Sequence, residues 1–184
     1  MKTLLTNTLL LITLLAFTAC GGGETAEQEQ TTEETTDDGV RTIDIIGIDD
    51  MKFVVSEGGE GLVTGGQAGQ NILLEAIEAS PGEEIRIRLT TVSNLPATAM
   101  SHNFSLLDLG TDPDAFVSAS ITARENEYIS PEFEDQVIAH TAMLGGGETD
   151  TITFTVPEET GEYDYVCSFP GHFQGGMYGK LIVQ

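Results

Sequence analysis

The stretch Tyr163-Asp164-Tyr165-Val166-Cys167-Ser168-Phe169-Pro170-Gly171-His172-Phe173-Gln174-Gly175-Gly176-Met177 sets the reading of the whole chain. An apolar strand runs into a thiol, and a short turn-rich loop then presents an imidazole and a thioether before the final strand candidate at 178–183. Thiolate sulfur and neutral imidazole suit copper, and a trigonal arrangement of two His and one Cys with a weak axial Met accommodates both Cu(I) and Cu(II). The loop supplies three of those four side chains. The second imidazole must come from His102 or His140, because the chain has only 3 histidines. His102 is the better candidate: it opens the strand-like run His102-Asn103-Phe104-Ser105-Leu106-Leu107, and Asn103 can cross-link to the Cys167 loop. His140, in Ile138-Ala139-His140-Thr141, lies far from any other ligand type and is read as a histidine without metal.

Other chemistries fit the loop less well. A cysteine nucleophile with a histidine base also needs an orienting third group and an oxyanion hole, and the sequence offers neither. Structural zinc prefers further Cys or His and has no use for Met. A binuclear copper site needs a second loop cysteine, and residues 168–176 contain none.

Around this loop the sequence reads as strands separated by Gly- or Pro-bearing turns. Ile85, Ile87 and Leu89 alternate with Arg86, Arg88 and Thr90, and Ile152, Phe154 and Val156 alternate with threonines, the pattern of half-buried sheet. Further candidates at 41–48, 51–55, 71–78, 102–108 and 161–167 make an all-β, two-sheet sandwich the expected fold. One short helix is expected at about 113–124, opened by Asp112-Pro113.

The amino terminus is of a different kind. Residues 1–19 have a charged start, an apolar stretch from Leu9 to Phe17 and a small residue before Cys20, as in a cleaved signal peptide. Cys20 directly after that small residue resembles the lipid-attachment cysteine of bacterial lipoproteins, although Phe17 stands where such signals usually have Leu. Residues 20–39 carry Glu24, Glu27, Glu29, Glu33, Glu34, Asp37 and Asp38 with no basic residue and almost nothing apolar, and are read as a disordered acidic tether. Such a tether reaches roughly 25 Å as a flexible coil and at most about 70 Å when stretched. The expected organisation is therefore signal peptide 1–19, lipidated tether 20–39 and one copper-binding domain 40–184, exported and held at a membrane facing the periplasm or cell exterior.

With 30 acidic residues against 7 basic ones, the formal charge of -23 argues against nucleic acid, whose phosphates need Lys and Arg. It favours a basic protein partner, although acidity also serves solubility or a saline habitat.

Together, Cys167-Ser-Phe-Pro-Gly-His172, Met100-Ser101-His102-Asn103, Asn94-Leu95-Pro96 and Val137-Ile138-Ala139-His140-Thr141 through Gly147-Glu148-Thr149-Asp150 resemble the azurin and auracyanin branch of the cupredoxins. The similarity covers about 42–184. It implies a Greek-key β-sandwich with one type 1 copper held by His102, Cys167 and His172, and Met177 as axial ligand. It also implies a weak contact from the backbone carbonyl of Ser101, where azurins have Gly, and outer hydrogen bonds to the thiolate from the N–H groups of Asn103 and Phe169. Four residues separate His172 from Met177, one more than in azurins, as in auracyanins. The function implied is electron transfer by a non-enzymatic, monomeric carrier serving redox partners such as a cytochrome domain with a basic face. The alternative is a copper-binding lipoprotein for storage, delivery or resistance.

If Cys20 carries the anchor, the Cys20→Ser protein is expected in the soluble fraction of lysed cells. Continued membrane association of that variant would count against lipidation.

Overall fold

The computed structural model describes residues 39–184; the expected signal peptide, Cys20 and nearly all of the acidic tether lie outside the described residues. Ten strands form: β1 (Arg41–Ile48), β2 (Lys52–Val55), β3 (Leu62–Ala68), β4 (Asn71–Ala79), β5 (Glu84–Val92), β6 (Ser105–Leu107), β7 (Val137–His140), β8 (Thr149–Thr155), β9 (Gly161–Val166) and β10 (Tyr178–Val183). One helix, α1 (Pro113–Ser120), and two 3-10 turns, Arg124–Asn126 and Pro131–Gln136, lie between β6 and β7.

Hydrogen bonding runs without a break in the order β7-β6-β9-β10-β4-β2-β1-β5-β8, with β3 added on β4. The two end strands, β7 and β8, are in contact, so the faces of this Greek-key sandwich belong to one sheet curled on itself. β1 runs parallel to β5 and β10 parallel to β4, while the other pairings are antiparallel.

Alternation in the sequence becomes burial in the fold. Along β5, Ile85, Ile87 and Leu89 are fully buried; Ile43 and Ile45 of β1 lie opposite Ile87 and Leu89 on the same inner face. At the centre Phe104 stacks on Tyr165 at 5.0 Å, and Phe53 meets both rings edge-on at 6.2 and 5.6 Å. Offset and edge-on geometries of this kind contribute beyond simple area burial. Tyr163 pins the entry to β9 by donating its hydroxyl to the Glu159 carbonyl at 2.8 Å.

The insertion between β6 and β7 has its own apolar cluster, in which Phe116, Val117 and Ile129 cover Leu107 and Val166. Asp112 caps α1 by accepting from the N–H groups of Asp114 and Ala115, with Pro113 in the first turn where its missing donor costs nothing. The helix is shorter than the expected 113–124, because the chain leaves it after Ser120 to form the first 3-10 turn. The run expected at 102–108 is a strand only at Ser105–Leu107. Ahead of it, His102 joins Leu144 in an isolated bridge. Two strands were not expected: β7, and β3, whose Gly65-Gly66 pair hides any alternation and coincides with an irregular register against β4. Among the described residues no helix is long and apolar enough to cross a membrane.

Phe104 sits where the inner face meets the residues that follow His102. Phe104→Ala is expected to destabilise the copper-free protein by about 3–5 kcal/mol, read from urea unfolding. A loss below about 1 kcal/mol would show that the ring stack is not the centre of the core.

Candidate metal centre

His102 is fixed through its backbone before its side chain is considered. Its N–H donates to the Leu144 carbonyl at 2.9 Å, and the Leu144 N–H donates back at 2.8 Å. Two residues on, the Phe104 N–H donates to Thr141 Oγ1 and the Thr141 N–H to the Phe104 carbonyl, both at 3.0 Å. Upstream, the turn beginning at Pro96 is closed by donation from Ala99 and Met100 N–H and by Ser101 Oγ donating to the Ala97 carbonyl.

The loop after β9 is as firmly built. Cys167 N–H donates to the Met177 carbonyl, His172 N–H to Phe169, Gly175 N–H to Gly171, Gly176 N–H to Phe173 and Met177 N–H to His172. Gly171 and Gly176 have φ of 87° and 90°, where a side chain would be strained. Asn103 joins the two halves: its Nδ2 donates to Ser168 Oγ at 2.8 Å and its Oδ1 accepts from Ser168 N–H at 2.9 Å. This fully buried amide ties the His102 segment to the Cys167 loop across 65 residues of sequence.

These supports bring three donor atoms together. His102 Nδ1 lies 3.1 Å from His172 Nδ1, and Cys167 Sγ lies 4.0 and 3.5 Å from those two nitrogens. All three residues are buried, and their ligand atoms lie within 4.8 Å of one another. Met177 is fully buried at the end of the same loop, and the Ser101 carbonyl lies 4.0 Å from the Cys167 sulfur. His140 stands apart on β7, exposed, with Nδ1 3.1 Å from the Thr141 carbonyl.

Burial sets the protonation of this cluster. It pushes the Cys167 thiol up to about 12, against the opposing pull of the Asn103 and Phe169 N–H groups. It lowers His102 to about 4, aided by the neighbouring His172 and opposed by Asp49 and the Ile48 carbonyl; His172 is lowered to about 4 by burial alone. Neutral imidazoles are the ligand form of histidine. The thiol, in contrast, holds its proton until a cation takes the proton's place, as metal binding to cysteine requires. Two nitrogens and one soft sulfur exclude calcium and magnesium, which need oxygen ligands, and fit copper.

Several supporting residues escaped the sequence reading. Gly47 of β1 lies directly under His102: a Cβ built there would fall 2.7 Å from Cδ2 and 2.8 Å from Cγ of the ring. A lone glycine inside the strand pattern Ile45-Ile46-Gly47-Ile48 was the available signal, since such a glycine often marks a close approach. Nothing local marked Tyr128, whose ring lies 5.4 Å from that of Phe169, which in turn lies 4.7 Å from His172.

A family model described as copper binding proteins, plastocyanin/azurin family, matches residues 60–184. Azurin from Alcaligenes faecalis is 38% identical over 93 residues, which cover 50% of this chain and 72% of that one. Auracyanin-B from Chloroflexus aurantiacus is 36% identical over 103 residues, covering 54% of this chain and 41% of that longer one. Among solved structures, dithionite-reduced auracyanin from Roseiflexus castenholzii superposes with a TM-score of 0.59 at 25% identity, covering 78% of this chain and 96% of that one. The chain belongs to the plastocyanin/azurin family of copper-binding proteins, and copper is its cofactor, at the type 1 site formed by His102, Cys167 and His172 with Met177.

Gly47 is paired on both sides, with Phe53 and with Thr91, so its strand has no room to withdraw from the imidazole. Gly47→Ala is therefore expected to weaken copper binding by about 10- to 100-fold, the usual cost of disturbing a ligand's support. Competition with a copper chelator measures it, and an unchanged affinity would mean that the ring moves without consequence.

Proposed function

We propose that this protein is a membrane-tethered electron carrier with a single type 1 copper cycling between Cu(I) and Cu(II), working outside the cytoplasm and not itself an enzyme. The observation that carries this reading is the dry cluster of two imidazoles and one thiol, whose backbone is fixed on both sides by hydrogen bonds that do not involve a metal. Bound there, copper supplies a one-electron change in a ligand set that suits both oxidation states. His102, Cys167, His172 and Met177 would hold the ion in this reading, with the Ser101 carbonyl, 4.0 Å from the Cys167 sulfur, as a weak further contact. The Asn103 and Phe169 N–H groups stabilise the thiolate and tune its potential.

The surroundings suit transfer through the protein edge and not chemistry on a bound substrate. His172 is 3% exposed, with the Phe169 ring 4.7 Å from its own, so water is largely excluded from the imidazole. Two clefts, of about 440 and 370 Å³, are lined by other residues, centred on Asp49 to Asn71 and on Arg41 and Glu83. Storage or delivery of copper favours a site that opens readily, and the Asn103–Ser168 tie works against opening.

The net charge of -23 supports docking to a basic face, such as that of a cytochrome domain, with an association rate that falls as salt rises. The tether and the lipid on Cys20 confine the carrier to a membrane surface in this reading, and the domain works as a monomer.

Residues 40–184 loaded with Cu(II) are expected to show an intense blue or green colour and reversible one-electron reduction. A colourless, easily stripped copper would sink the carrier reading. Cys167→Ser abolishes the colour and His140→Ala leaves it intact; survival of the band in the first, or loss of copper in the second, would reassign the ligands.

A further inference from the structure

Lysine and arginine are scarce in this chain, 7 against 30 acidic residues, so their placement is informative. Arg41, Arg88 and Lys180 each pair with a carboxylate, of Glu83, Asp44 and Asp164. Lys52 does not. Its Nζ donates instead to the carbonyl of Gly175, at 2.5 Å, in the middle of the segment that joins His172 to Met177. Among the described residues it is the only side chain that hydrogen-bonds the loop backbone from Pro170 to Met177; the other bonds there run backbone to backbone.

Met51 of the β1–β2 turn shares the contact. Met51 N–H donates to the Ile48 carbonyl at 2.9 Å, and Met51 takes a φ of 55°, which aims the next residue at the loop. A Cβ on Gly175 would fall 2.8 Å from Met51 Sδ, and one on Gly176 would meet Lys52 Nζ. The Gly175-Gly176 pair is thus a seat for this turn, with Gly176 also supplying the φ of 90° that leads into Met177.

Two consequences follow from placing an ammonium there. A carbonyl held by a charged donor is held more firmly than by a neutral one, so the segment carrying Met177 is fixed from outside. A positive charge held on the loop that carries His172 and Met177 also disfavours the state of the buried site with the greater positive charge.

We propose that Lys52 is a positioning residue of the copper centre: through Gly175 it sets the segment that delivers Met177, and its charge raises the preference for the reduced state. The charge half rests on the copper reading above; the positional half does not.

Three substitutions in the full chain separate the two effects. Lys52→Arg keeps charge and donor, Lys52→Gln keeps a donor without charge, and Lys52→Met keeps neither. In copper-free protein, amide hydrogen exchange at Gly175, Gly176 and Met177 is expected to speed up about tenfold in Lys52→Met and to stay near wild type in Lys52→Arg. In copper-loaded protein, Lys52→Gln is expected to lower the Cu(I)-over-Cu(II) preference by up to about tenfold, about 59 mV for a one-electron couple. Lys52→Met is expected to add a change in the copper hyperfine coupling seen by electron paramagnetic resonance.

Unchanged exchange at those three amides in Lys52→Met overturns the positional half, and a wild-type potential in Lys52→Gln overturns the charge half. A wild-type chain that takes up no copper refutes the copper reading and the charge half with it, while the exchange experiment still decides the positional half. Should Lys52→Met fail to fold, exchange in Lys52→Ala, which also removes the donor, against Lys52→Arg decides it instead.

Discussion

The structure depends on keeping a thiol and two imidazoles together in a region that water does not reach. Bare polar groups in such a place are costly unless their geometry is enforced from outside. With Cys167 fully buried and its pKa pushed up to about 12, and both imidazoles held neutral to about 4, the cheapest metal-free state is uncharged. The copper ion reverses that preference at the sulfur alone. A fold that supports both states must hold the ligand backbones by bonds that do not change between them, and the Leu144 bridge, the Thr141 pair and the Asn103–Ser168 tie are bonds of that kind.

This division of labour explains the use of the sheet. β9 carries Tyr165 into the central ring stack, and Cys167 follows two residues later on the same inner face. The core therefore sets the depth of the sulfur, while the hydrogen-bonded loop sets the positions of His172 and Met177 relative to it. Phe104 does the same for His102: its ring lies in the stack, and its N–H and carbonyl are both bonded to Thr141.

Much of this was legible because the chemistry is local. Cys167, His172 and Met177 fall within one loop, His102 had a single competitor, and strict alternation of apolar and polar residues is enough to mark β5 and β8 as strands. What stayed hidden is long-range. The contact of Lys52 with Gly175 spans 123 residues, and that of Gly47 with His102 pairs a strand glycine with a side chain 55 positions away. Strands β3 and β7 were missed for a related reason: Gly65-Gly66 and the half-exposed Val137–His140 have weak patterns of their own and owe their strand character to the partners they meet.

The insertion between β6 and β7 belongs to the same account. Its apolar cluster anchors it on Leu107 and Val166, which follow Phe104 and Tyr165 of the ring stack along the chain. From that base it holds Glu127 and Tyr128 in consecutive left-handed conformations, φ 54° and 59°, which are costly for residues with side chains. The cost is offset by local bonds: Tyr128 N–H donates to Ala123, and Glu127 Oε2 accepts from Met143 N–H at 3.2 Å. The product of that strain is the Tyr128 ring set against Phe169, on the first half of the ligand loop. Lys52 and Met51 hold the second half at Gly175-Gly176. The loop is thus clamped at both ends by elements distant in sequence, and neither clamp needs the metal. Such a site resists rearrangement when its charge changes, and small rearrangement is what a one-electron carrier requires.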